Sequence, residues 1–412
     1  MKKNTICKSA LAALLVLCST SASAQQTFGS GNLAVLLAAA SANNTTVSVL
    51  ELDKVTSNQT AIQTIAIPAT GTDAIRVSGS ASSTLYAANS NDGSLFCFTG
   101  HNSETTSGNI NAVVVRAVMA LDKSGTITKK TTYSGTAGNQ TRCASTIDNT
   151  NFFIGDQVGL FTNNATAADP AGNFRGIKAF GGTMYAFTAS ASLAPVGTFA
   201  STTGATFTAL PGLPLGSSAM QDFCLISSGA NGTAYDVLYI LSARSATMGR
   251  IDKYSLVSGT WTPNDTVATT YGGFGLVAEK SGTGANLYLT TGTGATVANQ
   301  VLKVVDAAGY NATINISGNT SLYTATAGTI LKGIAFAPKS VNNSVTNPTN
   351  KTWLMDGNKV TFFVLPSAPV EIFSLTGSKL ASFEPADVIH LNLQEGIYFM
   401  KVDSKTTKIF VK

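Results

Sequence analysis

LKGIAFA, residues 331–337, reads as the innermost strand of a β-sheet, yet no outer strands of the same sheet follow it. A strand covered on both faces is written as a near-continuous apolar run. After it the chain turns to the polar, Asn-rich SVNNSVTNPTN at 340–350. The outer strands it lacks stand at the other end of the region: LAVLLAA (33–39), VSVLELD (47–53) and IQTIAI (62–67). A last strand that completes the first sheet closes a ring, and closure removes the unpaired strand edges that an open sheet would expose.

Between these ends a short strand recurs: NLAVLL at 32, SLFCFT at 94, NFFIGD at 151, TMYAFT at 183, VLYILS at 237 and NLYLTT at 286. Several copies follow a turn and an earlier strand, such as IKAFGG before Thr183. Some precede a third strand (VVVRAVMALDKSG, GRIDKYSLVSG, NQVLKVVDAAG) and a fourth (ITKKTTY, TWTPNDTV, NATINIS). The spacing, roughly 30 to 60 residues, centres near the 40 to 50 of one four-stranded blade. The expected fold is therefore all-β: a β-propeller of about six or seven blades over residues 27–340, the seventh if the stretch Asn163–Asn173 hides one. A pair of β-sandwiches or a β-helix is the alternative. The region also resembles a group of secreted bacterial β-propeller proteins of unknown function, through FGSGNLAVLL (28–37), NAVVVRAVMALDKSGTI (111–127), VLKVVDAAG (301–309) and LKGIAFAP (331–338). That resemblance implies a fold and a secreted life, with no activity attached.

The chain begins with Lys2, Lys3 and Lys8, then the apolar run Ala10–Cys18 and the small-residue site Ala22-Ser23-Ala24, the pattern of a signal peptide over residues 1–24. Its removal takes three lysines and no acid, leaving 23 basic against 21 acidic residues. So small a net charge argues against nucleic acid or an anionic membrane as partner. No other segment is apolar for the length of a membrane helix. Cys97, Cys143 and Cys224 remain, an odd count in strand-like runs, and read as buried inert thiols.

Beyond the linker expected at 341–350, residues 351–412 pack seven short strand-like runs: WLMDG, KVTFFVL, VEIFSLTG, SKLASFE, VIHLNL, GIYFMKV and TTKIFVK. Val370 and Ile372 alternate with Glu371 and Phe373, and Gly377 and Gly396 stand where tight turns are expected. The reading is a small antiparallel sandwich with its own core. VEIFSLTGSKL (370–380), LNLQEGIYFMKV (391–402) and the terminal KIFVK resemble the type A C-terminal sorting domain of the type IX secretion system of Bacteroidota. The resemblance implies a folded address read by that machinery after passage to the periplasm, and a final location at the outer cell surface or outside the cell. It draws attention to Val370, Ile372, Leu375, Gly377, Gly396, Tyr398, Lys401, Lys408 and Lys412. A plain carbohydrate-binding or fibronectin-like sandwich is the alternative.

Chemistry-bearing patterns are sparse. Of two histidines, His390 lies in the tail and His101 in GHNSETTSGN (100–109), which reads as a solvent-exposed loop. No His/Cys cluster has metal-ligand spacing, and no cofactor motif is found: TTGTGATVANQ at 290 lacks the GK[ST] of a phosphate loop. SNDGS at 90–94 has oxygen ligands without calcium-loop spacing. The acids Asp92, Asp122 and Asp148 occupy turn positions, where a carboxylate caps backbone N–H groups, leaving Asp222 and Glu279 as candidates on inner strands. The favoured expectation is a non-enzymatic surface or secreted module binding a glycan or protein. Its competitors are a glycoside hydrolase or lyase with carboxylates converging at the channel mouth, and a structural or adhesion component.

Overall fold

The computed structural model describes residues 26–40, 42–200, 206–340 and 353–411. The chain divides into two compact units, Met1–Val341 and Asn342–Lys412. The expected signal peptide at 1–24 and linker at 341–350 lie outside the described residues.

The first unit is a β-propeller of six sheets among the described residues. Its first blade has Thr329–Phe336 innermost, followed outward by Leu33–Ala39, Val47–Leu52 and Gln63–Ala66. Leu33 pairs with Phe336 and Ala39 with Thr329, so the closure expected from LKGIAFA is made in antiparallel register. The second blade sets the short strands Ile75–Arg76 and Ala87–Asn89 against Phe96–Asn102, then Val115–Leu121 and Ile127–Ser134. The third has three strands, Thr141–Thr146, Phe152–Asp156 and Leu160–Phe161. The fourth, fifth and sixth begin at Phe174–Phe180, Met220–Ile226 and Gly273–Ser281 and have four strands each. All six copies of the recurrent stretch are the second strand of their blade.

Two details differ from the sequence reading. Asn163–Asn173 holds no further blade; it returns from the third blade to the fourth, held by backbone bonds such as Asn164 N to Thr132 O and Asp169 N to Leu160 O. The sixth blade's outer strand is Ile316–Thr324, so most of NATINIS precedes it. Polar β-branched residues read as strand or loop alike until a partner edge selects a register.

Neighbouring blades are tied at all six junctions. Gly333 N donates to Leu85 O at 2.9 Å, and Tyr86 N to Arg142 O at 2.9 Å. Cys143 Sγ reaches Ile177 O at 3.4 Å, and Lys178 Nζ reaches Asp222 Oδ2 at 2.8 Å. Leu276 N donates to that same carboxylate oxygen at 2.8 Å, and Thr290 Oγ1 donates to Lys332 O at 2.8 Å. Burial follows position: every residue of Met220–Ile226 is buried, whereas the outer strand Ile127–Ser134 largely alternates between exposed and covered faces. The three cysteines are free and buried in strands. Burial pushes the Cys143 thiol up to about 12 and the Cys224 thiol to about 11, which leaves negligible thiolate at neutral pH.

His101 corrects the sequence reading. It lies on Phe96–Asn102, 1 % exposed, and its Nδ1–H donates to Val113 O at 2.9 Å, while Nε2 has no partner. The polar run around it hid a strand that pairs with Val115–Leu121 across the loop 103–114. Burial pulls the imidazole down to about 4, so the folded protein holds it neutral. Because the unfolded chain protonates this group near pH 6.5, stability should fall as pH drops from 6.5 toward 4. Between pH 7 and 5 the loss assignable to His101 is about 2 kcal/mol. Urea unfolding across that range should show the slope in the native protein and a flatter one in His101→Leu.

The second unit is a two-sheet sandwich. One sheet orders Trp353–Asp356, Lys359–Phe362 and Val388–His390. The other orders Lys379–Phe383, Val370–Phe373, Gly396–Val402 and Lys405–Val411. Val360, Phe362, Val370, Ile372, Ile389, Leu391, Met400, Ile409 and Val411 form a core belonging to this unit alone. Among the described residues of the whole chain, no helix is long and apolar enough to cross a membrane; strands are not addressed by that statement.

Candidate functional site

The junction bonds advance in step along neighbouring innermost strands: Leu85 with Gly333 and Asn89 with Phe336, Asp222 with Leu276 and Cys224 with Ala278. These strands therefore run in the same sense, and their first residues gather at one end of the channel.

At that end five of them carry a β-bulge. Pairing skips Arg142 between Thr141 and Cys143, Arg175 between Phe174 and Gly176, and Gln221 between Met220 and Asp222. It skips Phe274 and Gly275 in the sixth blade, and Lys332 and Gly333 in the closing strand. A bulge leaves one residue out of the ladder and re-aims its side chain. In the second blade Tyr86 takes the equivalent place, just before Ala87–Asn89. Six blades thus bring one side chain each to a single layer: Tyr86, Arg142, Arg175, Gln221, Phe274 and Lys332.

Five of these groups touch in a chain: Lys332, Phe274, Tyr86, Gln221 and Arg175. The Tyr86 and Phe274 rings stack at 4.4 Å, and Lys332 Nζ lies 5.5 Å from the Phe274 ring centre. Tyr86 Oη donates to Gln221 Oε1 at 3.1 Å. Arg175 Nη1 donates to Met220 O at 2.7 Å and to Gln221 Oε1 at 3.4 Å. Lys332 Nζ donates to Ala81 O at 2.7 Å and to Gly294 O, holding together two loops that cover the mouth. Burial pulls the Lys332 ammonium down to about 7 and the Arg142 guanidinium to about 10. For Arg142, nearby Arg175 adds to the fall and Tyr86 opposes it. The layer holds three cationic side chains and no carboxylate. Farther along the same strands the channel continues as a cavity of about 70 Å³, lined mostly by apolar groups such as Ala88, Cys224, Ala278 and Ile334.

The two carboxylates singled out from sequence are on innermost strands, each bound to a cation elsewhere. Asp222 is engaged by Lys178 and the N–H groups of Leu276 and Phe223. Glu279 pairs with Lys54 at 2.7 Å and accepts from Tyr288 Oη at 2.8 Å. Asp92, Asp122 and Asp148 cap their turns: Asp122 Oδ1 accepts from Ser124 N and Thr126 N, and Asp148 Oδ1 from Thr150 N and Asn151 N. Among the described residues, no group of three or more His, Cys, Asp or Glu side chains could hold a metal ion.

In the tail, Val370 and Ile372 are core residues and Leu375 is 62 % exposed. Gly377 has φ +85° in the turn closed by its own N–H to Ser374 O, a conformation that favours glycine. Gly396 does not make a turn; it opens a strand opposite Val411, which corrects the sequence reading. Tyr398 is half-buried with Oη on Gln394 O at 3.0 Å. Lys401 pairs with Glu371 at 3.1 Å, Lys408 is exposed, and Lys412 lies outside the described residues.

None of the mouth residues was identified from sequence, because an isolated arginine in an apolar run carries no periodic signal. A clue was present: Arg175-Gly176-Ile177 and Lys332-Gly333-Ile334 repeat a basic–Gly–Ile triplet, with Phe274-Gly275-Leu276 a variant of it. The glycine permits close approach of the adjoining strand, and the residue before it is displaced from the ladder, together with the glycine itself at Gly275 and Gly333.

No protein-family model matches this sequence, and no curated protein matches it. Among solved structures, a candidate 6-phosphogluconolactonase from Bacteroides uniformis is similar with TM-score 0.42 and 11% identity, over 91% of this chain and 99% of that one. Another from Bacteroides fragilis has TM-score 0.39 and 11% identity, over 87% and 98%. The extracellular domain of a hybrid two-component system from B. thetaiotaomicron has TM-score 0.31 and 9% identity, over 94% and 57%. The propeller assignment rests on this chain's own sheets and their closure, and likenesses this distant carry nothing about activity.

Proposed function

We propose that the propeller is a binding module, secreted or displayed at the cell surface, and that the C-terminal sandwich is a type IX sorting domain that delivers it. The observation that supports the binding reading most is the phased set of bulges, which spends backbone regularity in five blades to bring cations and aromatic groups to one end of the channel. Bulges are over-represented beside active sites, where they re-aim a side chain. The mouth supplies hydrogen-bond donors with no carboxylate pair, a set suited to holding a ligand, with a glycan or protein as its source.

The delivery reading is supported by the tail's separate core and by its surface. Phe363, Val364 and Leu365 are each more than half exposed, a patch of the kind that marks an interaction surface. Lys401 and Lys408 stand on solvent-facing positions of the last two strands. Removal of residues 351–412 should leave the propeller folded and strand it in the periplasm of a host that has type IX export. Immunoblots of periplasmic, surface and medium fractions would read the outcome, and unchanged export would refute the sorting role. A glycan array probed with the exported protein would test the binding role.

A further inference from the structure

We propose that the channel mouth is a site for a single oxyanion group, carboxylate or phosphate, gripped by Arg142 and Arg175 beside Gln221. The proposal rests on the binding-module reading only in expecting that the ring takes a ligand.

Arg142 is 3 % exposed, and its Nε and Nη1 are buried with no hydrogen-bond partner. Arg175 Nε is likewise buried and unpartnered, although its Nη1 is engaged. Gln221 spends Oε1 on Tyr86 and Arg175, which leaves its NH2 to donate. An unpaired guanidinium at such depth costs several kcal/mol unless something accepts its protons. The other buried basic groups of this ring illustrate the contrast. Arg116 has Asp156, Lys178 has Asp222, Lys253 has Asp306, and Lys332 has two carbonyls.

The unpartnered N–H groups of Arg142 and Arg175 and the NH2 of Gln221 are all donors, and an acceptor-rich group completes the set. Charge selects an anion, since two arginines at one mouth repel each other until one is bound between them; Arg175 already depresses Arg142. Planar N–H arrays of arginine match the oxygens of carboxylate and phosphate. Access is from the Arg175 side, where the residue is partly exposed, while Tyr86, Phe274 and Lys332 are sealed. The bound group is consequently a small anion or the charged end of a larger molecule.

The experiment is calorimetric titration of the full-length mature protein at low salt with glucuronate, inorganic phosphate and neutral glucose. Saturable binding of glucuronate or phosphate, absent with glucose, is expected, and the preferred anion separates an acidic sugar from a phosphate source. Arg142→Met and Arg175→Met should each weaken it at least tenfold, while Arg250→Met, on the outer part of the fifth blade, should leave it unchanged. Thermal melting guards against misfolding: Arg142→Met should melt at or above the native temperature without anion and lose the anion-induced rise. Absence of binding to the native protein would overturn the site, and so would binding that survives both arginine changes. An anion-free melting loss in Arg142→Met as large as that of a core truncation would do so as well. Glycan binding that persists in both variants would sink the anion site and leave the broader binding reading intact.

Discussion

Replacing Asp156 by alanine is expected to destabilise the propeller by about 3–5 kcal/mol, because it strands a guanidinium that nothing else can neutralise. Asp156 belongs to the third blade and pairs with Arg116 of the second, both side chains fully buried. Arg116 Nη2 also donates to Thr136 O at 2.7 Å and Asn139 O at 2.6 Å, and Tyr133 Oη lies 2.8 Å from the same carboxylate. With the acid gone, two carbonyls remain to hold a full positive charge at a dry junction. The double variant Arg116→Met with Asp156→Leu removes both charges together and should recover most of the loss, since a buried pair is worth little against apolar groups of similar size. Urea unfolding of the three proteins would decide the matter. A single variant within 1 kcal/mol of native, or a double no better than the single, would contradict the account. Lys253 and Asp306 form the equivalent pair between the fifth and sixth blades at 2.9 Å, and there too a buried tyrosine, Tyr239, donates to the carboxylate.

Gly333→Ala should cost about 3 kcal/mol or more, although it adds one methyl group. The residue is displaced by the bulge of the closing strand, and its N–H donates to Leu85 O. A Cβ there would come within 3 Å of three backbone atoms of the second blade: Ala87 N, Tyr86 C and Leu85 O. Backbone cannot swing aside as a side-chain end can, so the junction must open or the closing strand must shift. Gly71→Ala is the control. Gly71 has φ +80° and open space around it, so the same change carries only the conformational penalty of about 1 kcal/mol. Melting curves for the two variants should separate clearly, and limited proteolysis should cut Gly333→Ala first among the N-terminal strands, which this closure protects. Equal effects at the two glycines would show that steric exclusion at the junction is not what the closing bulge depends on.

Much of the architecture was legible in the chain. The recurrent stretch led to the second strand of every blade, LKGIAFA to the closing strand, and the tail's seven apolar runs to seven strands. These succeeded because apolar runs and turn residues report local backbone preference and burial directly. His101 failed for the converse reason: its neighbours are polar, and burial came from Val113 and the adjoining strand rather than from anything beside it in sequence.

The sequence by itself determined that this chain is built of short strands closed end to end, with a separate sandwich over residues 351–412, since the period of apolar residues is a local property. Only the tertiary structure decided that Tyr86, Arg142, Arg175, Gln221, Phe274 and Lys332 form one layer, because they lie in six different blades and meet only through ring closure. Likewise it decided which cations are neutralised and which are left with free N–H groups, a matter of distances between atoms far apart along the chain that no local pattern of residues records.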